Sequence, residues 1–191
     1  MAQLLDLVRT AAPADLPITV AEARAQLRLG DDDSQDELLA QLIAAAVDHL
    51  DGYAGTLGRA IVTQSWRLGL EAFPTGAIEL PLPPLQSIDS IAYVDGTGAT
   101  QTLAESDYTV IDGPLSRVVP AFATQWPRAR QAPRAVTVTF TAGWDVADVP
   151  RAIAQALLII TEGLFEGGDL TELVQGRAVK ALLNPWRVAR T

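Results

Sequence analysis

The chain has 191 residues, no cysteine, one histidine and a formal net charge of −9. That length suits one sizeable core, or a domain with an arm at either end. The missing cysteines exclude disulfides and thiolate metal sites, and the lone His49 excludes multi-histidine metal sites and leaves little for nucleophile–base chemistry.

The charge is uneven: residues 1–60 hold ten acids against four bases, whereas no acid follows Glu172 and Arg177, Lys180, Arg187 and Arg190 remain. An acidic body argues against ordinary duplex binding, which depends on neutralising phosphates. The opposite sign of the tail suggests that it meets a different surface. The sequence has no apolar run of membrane-spanning length, and "MAQLLDLVRTAAPADLP" lacks the pattern of a signal peptide. A soluble protein made in a cytoplasm is expected.

Two helices are expected near the start. "TVAE" (Thr19 to Glu22) and "SQDE" (Ser34 to Glu37) both have the form of a capping box, in which hydroxyl and carboxylate satisfy each other's free N–H groups. In the second helix Leu39, Leu42, Ile43, Ala46, Leu50 and Tyr53 recur at spacings of three and four, which gives one apolar face. Gly52, Gly55 and Gly58 then end it. The acid run "DDDSQDE" lacks the spacing of a calcium loop, and acids at a helix start are expected from the helix dipole. His49, without a partner nucleophile, reads as structural, and "GTLGRA" lacks the strand that a phosphate loop needs before it.

From Val62 to Thr141 the pattern becomes β. "VTQSWRLGL", "SDYTVID" and "AVTVTFTAG" are strands, and "AIELPLPPLQSIDSIAYVDGTGATQTL" is a short strand, a proline-rich turn and a hairpin. Its turn is "DGTG", where glycine permits the positive φ such turns need. The prolines of "PLPP" and "WPRARQAPR" mark loops and edges.

The helix expected over residues 149–166 is unusually apolar. Ile153, Leu157, Ile160 and Leu164 fall together with Ala156 close by, while Leu158, Ile159 and Phe165 project elsewhere. Arg151, Gln155, Glu162 and Glu166 occupy a strip only roughly 60° wide. Either the helix is central to the core, or one side packs on its own sheet and the other on a neighbouring subunit. The second alternative makes Ile153, Leu157, Leu158, Ile159, Ile160, Leu164 and Phe165 candidate interface residues.

Residues 171–183 read as a short amphipathic helix, which Asn184-Pro185 ends because a residue before proline avoids the α region. The remainder, "WRVART", is a basic strip with no obvious place in the body. Trp66, Trp126 and Trp144 sit in or beside strands and read as packing; Trp186, followed by Arg187, has the composition of an interface anchor, the alternative being a tail folded back on its own subunit. No spacing singles out a catalytic carboxylate pair, so no enzyme, cofactor or metal site is expected.

The order of these motifs carries a resemblance. "LPLPPLQSIDSIAYVDGTG", "DYTV", "WP", "AVTVTFTAGW" and "VPRAIAQALLIITEGLFE", after the upstream "LLAQLIAAAVDHLDGYAGTLGRAIVTQSWRL", resemble the head–tail connector (adaptor, head-completion) family of tailed phages and gene transfer agents. The likeness covers residues 17–170. It implies an α+β fold, a helical bundle with an antiparallel β insertion at 62–141, flanked by an N-terminal arm (1–16) and a C-terminal helix and basic tail (171–191). It also implies a ring of about twelve subunits beneath the portal protein. That ring would extend the DNA channel and offer a platform for a stopper or tail-terminator protein. DNA would pass through without specific binding, since acidic bodies around a channel repel it. The expected location is the head–tail junction of a virion or virus-like particle, with assembly in the host cytoplasm. On this basis Asn184, Pro185, Trp186, Arg187, Val188 and Arg190 are candidates for docking on the portal, with Trp186 filling a pocket. The strand–"AGW"–"VP"–helix join would set the angle at which the ring-forming helix is presented. The alternatives are another morphogenesis component, namely a stopper or tail-terminator, or a small carboxylate-based enzyme or ligand-binding domain.

Overall fold

A computed structural model describes residues 6–188. The chain divides into two compact units, a β unit of Met1–Pro13 and Thr63–Gly143, and a helical unit of Ala14–Val62 and Trp144–Thr191. Helices and antiparallel sheets together make the α+β architecture that the resemblance implied.

The β unit holds β1 (Asp6–Ala11), β2 (Gln64–Leu70), β3 (Ile78–Glu79), β4 (Leu85–Val94), β5 (Thr100–Thr102), β6 (Tyr108–Ile111), β7 (Arg117–Pro120) and β8 (Val136–Ala142). They form a five-stranded sheet in the order β1-β2-β8-β4-β5 and a three-stranded sheet in the order β3-β7-β6. The alternation of β8 has a direct cause. Val136, Val138, Phe140 and Ala142 are buried, while Thr137, Thr139 and Thr141 on the opposite face are half-buried. The antiparallel register sets Phe140 beside Trp66 and Val138 beside Leu68, so β2 buries the same face.

The hairpin between β4 and β5 turns where the sequence predicts. Asp95 Oδ1 accepts the backbone N–H groups of Thr97 at 2.8 Å and Ala99 at 3.1 Å, and Gly98 takes φ +92. Residues 1–16 were expected as an arm, but residues 6–11 are the edge strand β1. Its Asp6 carboxylate meets Arg134 at 2.7 Å, and the Arg9 guanidinium lies 5.9 Å from the centre of the Trp66 ring. "DLVRTA" gives little sequence signal because this edge strand buries none of its side chains fully.

The helical unit comprises α1 (Val20–Leu27), α2 (Asp36–Leu50), α3 (Arg151–Phe165), α4 (Leu170–Gln175) and α5 (Arg177–Leu183), followed by a 3₁₀ turn at Asn184–Trp186. At α1 the capping box forms as predicted: Thr19 Oγ1 accepts the Glu22 N–H at 3.1 Å, and Glu22 accepts the Thr19 N–H at 2.6 Å. At α2 it does not. Asp32 Oδ1 captures the Ser34 N–H at 3.0 Å in an Asx-type turn, and the helix begins later, capped at Gln35 without a side-chain bond. That same N–H donation lowers the Asp32 pKa.

One apolar cluster holds the helices together, and it includes Leu39, Ile43 and Leu50 of α2 with Ile153, Ala156, Leu157 and Ile160 of α3. Val174, Val179 and Leu183 close it from the C-terminal side. The single helix expected over 171–183 is two, because Gly176 takes an extended conformation (φ −56, ψ 144) between α4 and α5. Among the described residues no helix is long and apolar enough to cross a membrane.

Candidate functional site

The C-terminal segment is the part of the helical unit with the most unusual chemistry. It is built on the loop that follows α2. The buried Asp51 carboxylate accepts the Ile61 N–H at 2.7 Å, and the Gly52 N–H donates to the Arg59 carbonyl at 2.8 Å. Gly55 fits under this loop only because it has no side chain, since a Cβ there would overlap the carbonyl oxygens of Leu50 and Asp51. The loop thereby carries Arg59 to a fixed place, half-buried beside two tryptophans.

Trp144 is positioned by its N–H, which donates to the Ile61 carbonyl at 3.2 Å. Trp186 meets it edge-on, with ring centroids 5.8 Å apart and planes at 83°. The Arg59 guanidinium lies 5.2 Å from the Trp144 ring centre and 5.9 Å from that of Trp186, within cation–π range. Its Nε–H also donates to the Trp186 carbonyl. Desolvation lowers the Arg59 pKa from its ordinary value. The backbone continues the attachment, as the Val188 N–H donates to the Leu57 carbonyl at 2.9 Å.

Of the two alternatives for the tail, the structure shows it folded back: Trp186 and Val188 are half-buried on their own unit. Asn184, Pro185 and Arg187 are exposed, and Arg190 lies outside the described residues. The partner of Trp186 is an arginine at position 59, and nothing local in sequence connects the two. An aromatic next to Arg187 indicated an anchor without indicating its pocket.

Beside the tail opens a cleft of about 680 Å³, lined by Asp48, His49, Asp51, Ala54, Gly55 and Thr56, with Arg187 and Val188 on the other wall.

The candidate interface residues on α3 divide into two groups. Ile153, Leu157 and Ile160 have no exposed surface at all and belong to the core of their own unit, which leaves nothing for a neighbour. Leu158, Ile159, Leu164 and Phe165 are half-buried and pack at the margin of that core. Glu162, in the narrow polar strip, is bonded by Gln26 Nε2 at 2.7 Å. The exposed large apolar side chains lie elsewhere, and Phe122 at 100% is the extreme case.

Residues 17–97 match the family model described as phage gp6-like head–tail connector protein. That segment resembles the head–tail connectors. The match takes in α1, α2 and the sheet as far as the β4–β5 turn, so it draws on both units. Solved structures extend the likeness to almost the whole chain. A chain in the neck of an empty gene transfer agent (GTA) particle, computed with C6 symmetry, is 25% identical. It superposes with a TM-score of 0.78 over 97% of each chain. A chain from the virion of a native GTA particle is 24% identical, with a TM-score of 0.76 over 97% of this chain and 96% of that one. A third, from the neck of a native GTA particle computed with C12 symmetry, is 24% identical with a TM-score of 0.69 over 97% of each. No curated protein matches the chain in sequence.

Proposed function

We propose that the chain is a structural head–tail connector, a subunit of a homo-oligomeric ring in the neck of a phage-like or gene-transfer-agent particle. The likeness at 25% identity over 97% of both chains to a GTA neck chain carries this reading, together with the connector match over residues 17–97. A connector acts by assembly and shape, so the activity to look for is docking rather than turnover. In particles that lack the protein, heads should accumulate without attached tails, and adding the purified chain back should restore joining. Normal joined particles without it would refute the reading.

The finer arrangement follows from the same reading. About twelve copies would stand beneath the portal protein and receive a stopper or tail-terminator below, with DNA passing through the ring. The exposed face of the tail, namely Asn184, Pro185 and Arg187, is the portal contact. Trp186 and Val188 hold that face in place from behind. Leu158, Ile159, Leu164 and Phe165 are the part of α3 that can still meet a neighbouring subunit. Arg187→Glu should weaken capture by purified portal at least tenfold and leave the subunit folded, because Arg187 is exposed. Undiminished capture would remove the tail from the portal contact.

A further inference from the structure

After Glu172 every charged side chain is basic, in a protein of net charge −9. The structure gathers three of these bases on one face. Arg177, Lys180 and Arg187 are exposed, and so is Asn184 between them. Spacings of three, four and three set the four residues along one side of α5 and the 3₁₀ turn that continues it. That side persists past the end of α5 because Asn184 keeps a helical backbone, φ −52 and ψ −42, although proline follows it. At about 1.5–2 Å of rise per residue, the stripe is about 15 Å long.

Its backing is fixed. Val179 and Leu183, on the other side of α5, are buried in the helical core. Trp186 packs edge-on against Trp144, and its carbonyl accepts the Arg59 Nε–H. Turning the bases away from their present face would draw these apolar side chains into water.

The subunit itself makes little use of the three charges. Among the described residues Arg177, Lys180 and Arg187 form no ion pair, whereas Arg24, Arg67 and Arg134 each meet an aspartate within 3.9 Å. No acid lies three or four residues from any of the three along the chain. Acids on neighbouring elements are otherwise placed. Glu162 of α3 accepts Gln26, Asp169 caps α4 by accepting the Glu172 N–H at 3.0 Å, and Asp48 lines the cleft wall across from Arg187. Nor does helix stability account for Arg177, which opens α5 at the end where the helix dipole disfavours a cation.

The surroundings decide the class of partner. The helical unit carries fifteen acids against eight bases, so a long polyanion laid across this stripe would run on into acidic surface. A compact cluster of carboxylates on a folded protein fits within it. Arg177 and Arg187 can each grip a carboxylate with two parallel bonds, Lys180 adds a point charge between them, and the exposed Ala178 and Ala181 leave room for close approach. We propose that the Arg177–Lys180–Arg187 stripe docks a carboxylate-rich patch of a folded partner protein. This rests on the portal contact proposed above; it moves the centre of that contact from the tail onto α5 and assigns the charge of the surface that meets it.

Capture of the purified subunit by purified portal, followed at rising salt, is the test. Wild-type association should slow about tenfold between about 50 and 300 mM salt. Arg177→Glu suits the helix dipole and should keep or raise Tm, yet weaken capture several-fold, a combination that a merely structural role would not give. Arg177→Glu with Lys180→Glu should weaken capture about tenfold or more and flatten the salt dependence. Arg177→Lys with Lys180→Arg keeps both charges and should keep capture. Loss of capture in that charge-keeping pair would mean that shape rather than charge is read, and would overturn the proposal. Full capture by the double glutamate variant would overturn the stripe and leave the tail contact of Asn184 and Arg187 standing. A wild-type subunit that does not bind portal would overturn the portal contact and the stripe with it. If the double glutamate variant lost only its retention of duplex DNA, the stripe would belong to nucleic acid and the proposal would fall.

Discussion

Arg59→Met tests how the tail is held, because the change keeps most of the stem and removes the guanidinium. Its Nε–H donation to the Trp186 carbonyl is a hydrogen bond from a charged donor, worth about 1.5–3 kcal/mol. The two ring contacts contribute about 0.5–1 kcal/mol each. Against this stands the cost of burying the charge, visible in the lowered pKa of Arg59 and relieved by methionine. The balance is about 2 kcal/mol of lost tail docking, or about a 30-fold rise in the open fraction. The probe is the Val188 amide, whose N–H donates to the Leu57 carbonyl at 2.9 Å and exchanges only when the tail lifts. Hydrogen exchange at Val188 should accelerate about 30-fold, and trypsin should cut after Arg187 more readily, while amides in the middle of α3 keep their protection. An unchanged exchange rate at Val188 would refute the account of Arg59 as the fastener.

Three further outcomes follow from the geometry. Asp95 accepts bonds from the Thr97 hydroxyl at 2.6 Å, from Gln101 Nε2 at 2.9 Å and from the N–H groups of Thr97 and Ala99, which hold its pKa well below the ordinary carboxylate range. A depressed folded-state pKa stabilises above the unfolded value near 3.8 and is lost as pH falls from there through the folded pKa, so carboxyl NMR should show Asp95 still ionised at pH 3.8. An ordinary midpoint would contradict the turn geometry. Gly55→Ala forces a Cβ into two backbone carbonyls and should cost about 1–3 kcal/mol, a fall of several degrees in Tm, and an unchanged Tm would show that the loop has slack. Ile160→Ala should destabilise by about 2–5 kcal/mol in denaturant unfolding, and Ile159→Ala by clearly less, whereas equal losses would mean that both are equally enclosed.

The parts of the fold that were legible are those in which local chemistry and tertiary burial agree. The capping box at Thr19 and Glu22, the Asp95–Gly98 turn and the alternation of β8 each contain their full cause within a few residues. Prediction failed where a distant or competing partner decides the outcome. Ser34 is a good cap by type, yet Asp32 takes its N–H first. Gly176 divides the last helix although "LTELVQGRAVKALL" has unbroken helical periodicity. β1 becomes a strand only because β2 offers it an edge.

The same distinction explains the fate of the interface residues. Hydrophobic periodicity records how much of a helix avoids water, not whose atoms do the covering. α3 is apolar around most of its circumference, and α1, α2, α4 and α5 of its own unit pack against it. Its apolar breadth was therefore sound evidence of burial and weak evidence of a neighbour. Phe122 illustrates the converse. A single phenylalanine between alanines in a loop carries no periodic signal, and only the structure shows it fully exposed on a turn closed by the Thr124 N–H on the Ala121 carbonyl. For a subunit built to assemble, the informative residues are those that the local fold holds in water against their chemistry. The middle of α3 does not meet that criterion, whereas the fully exposed Phe122 does.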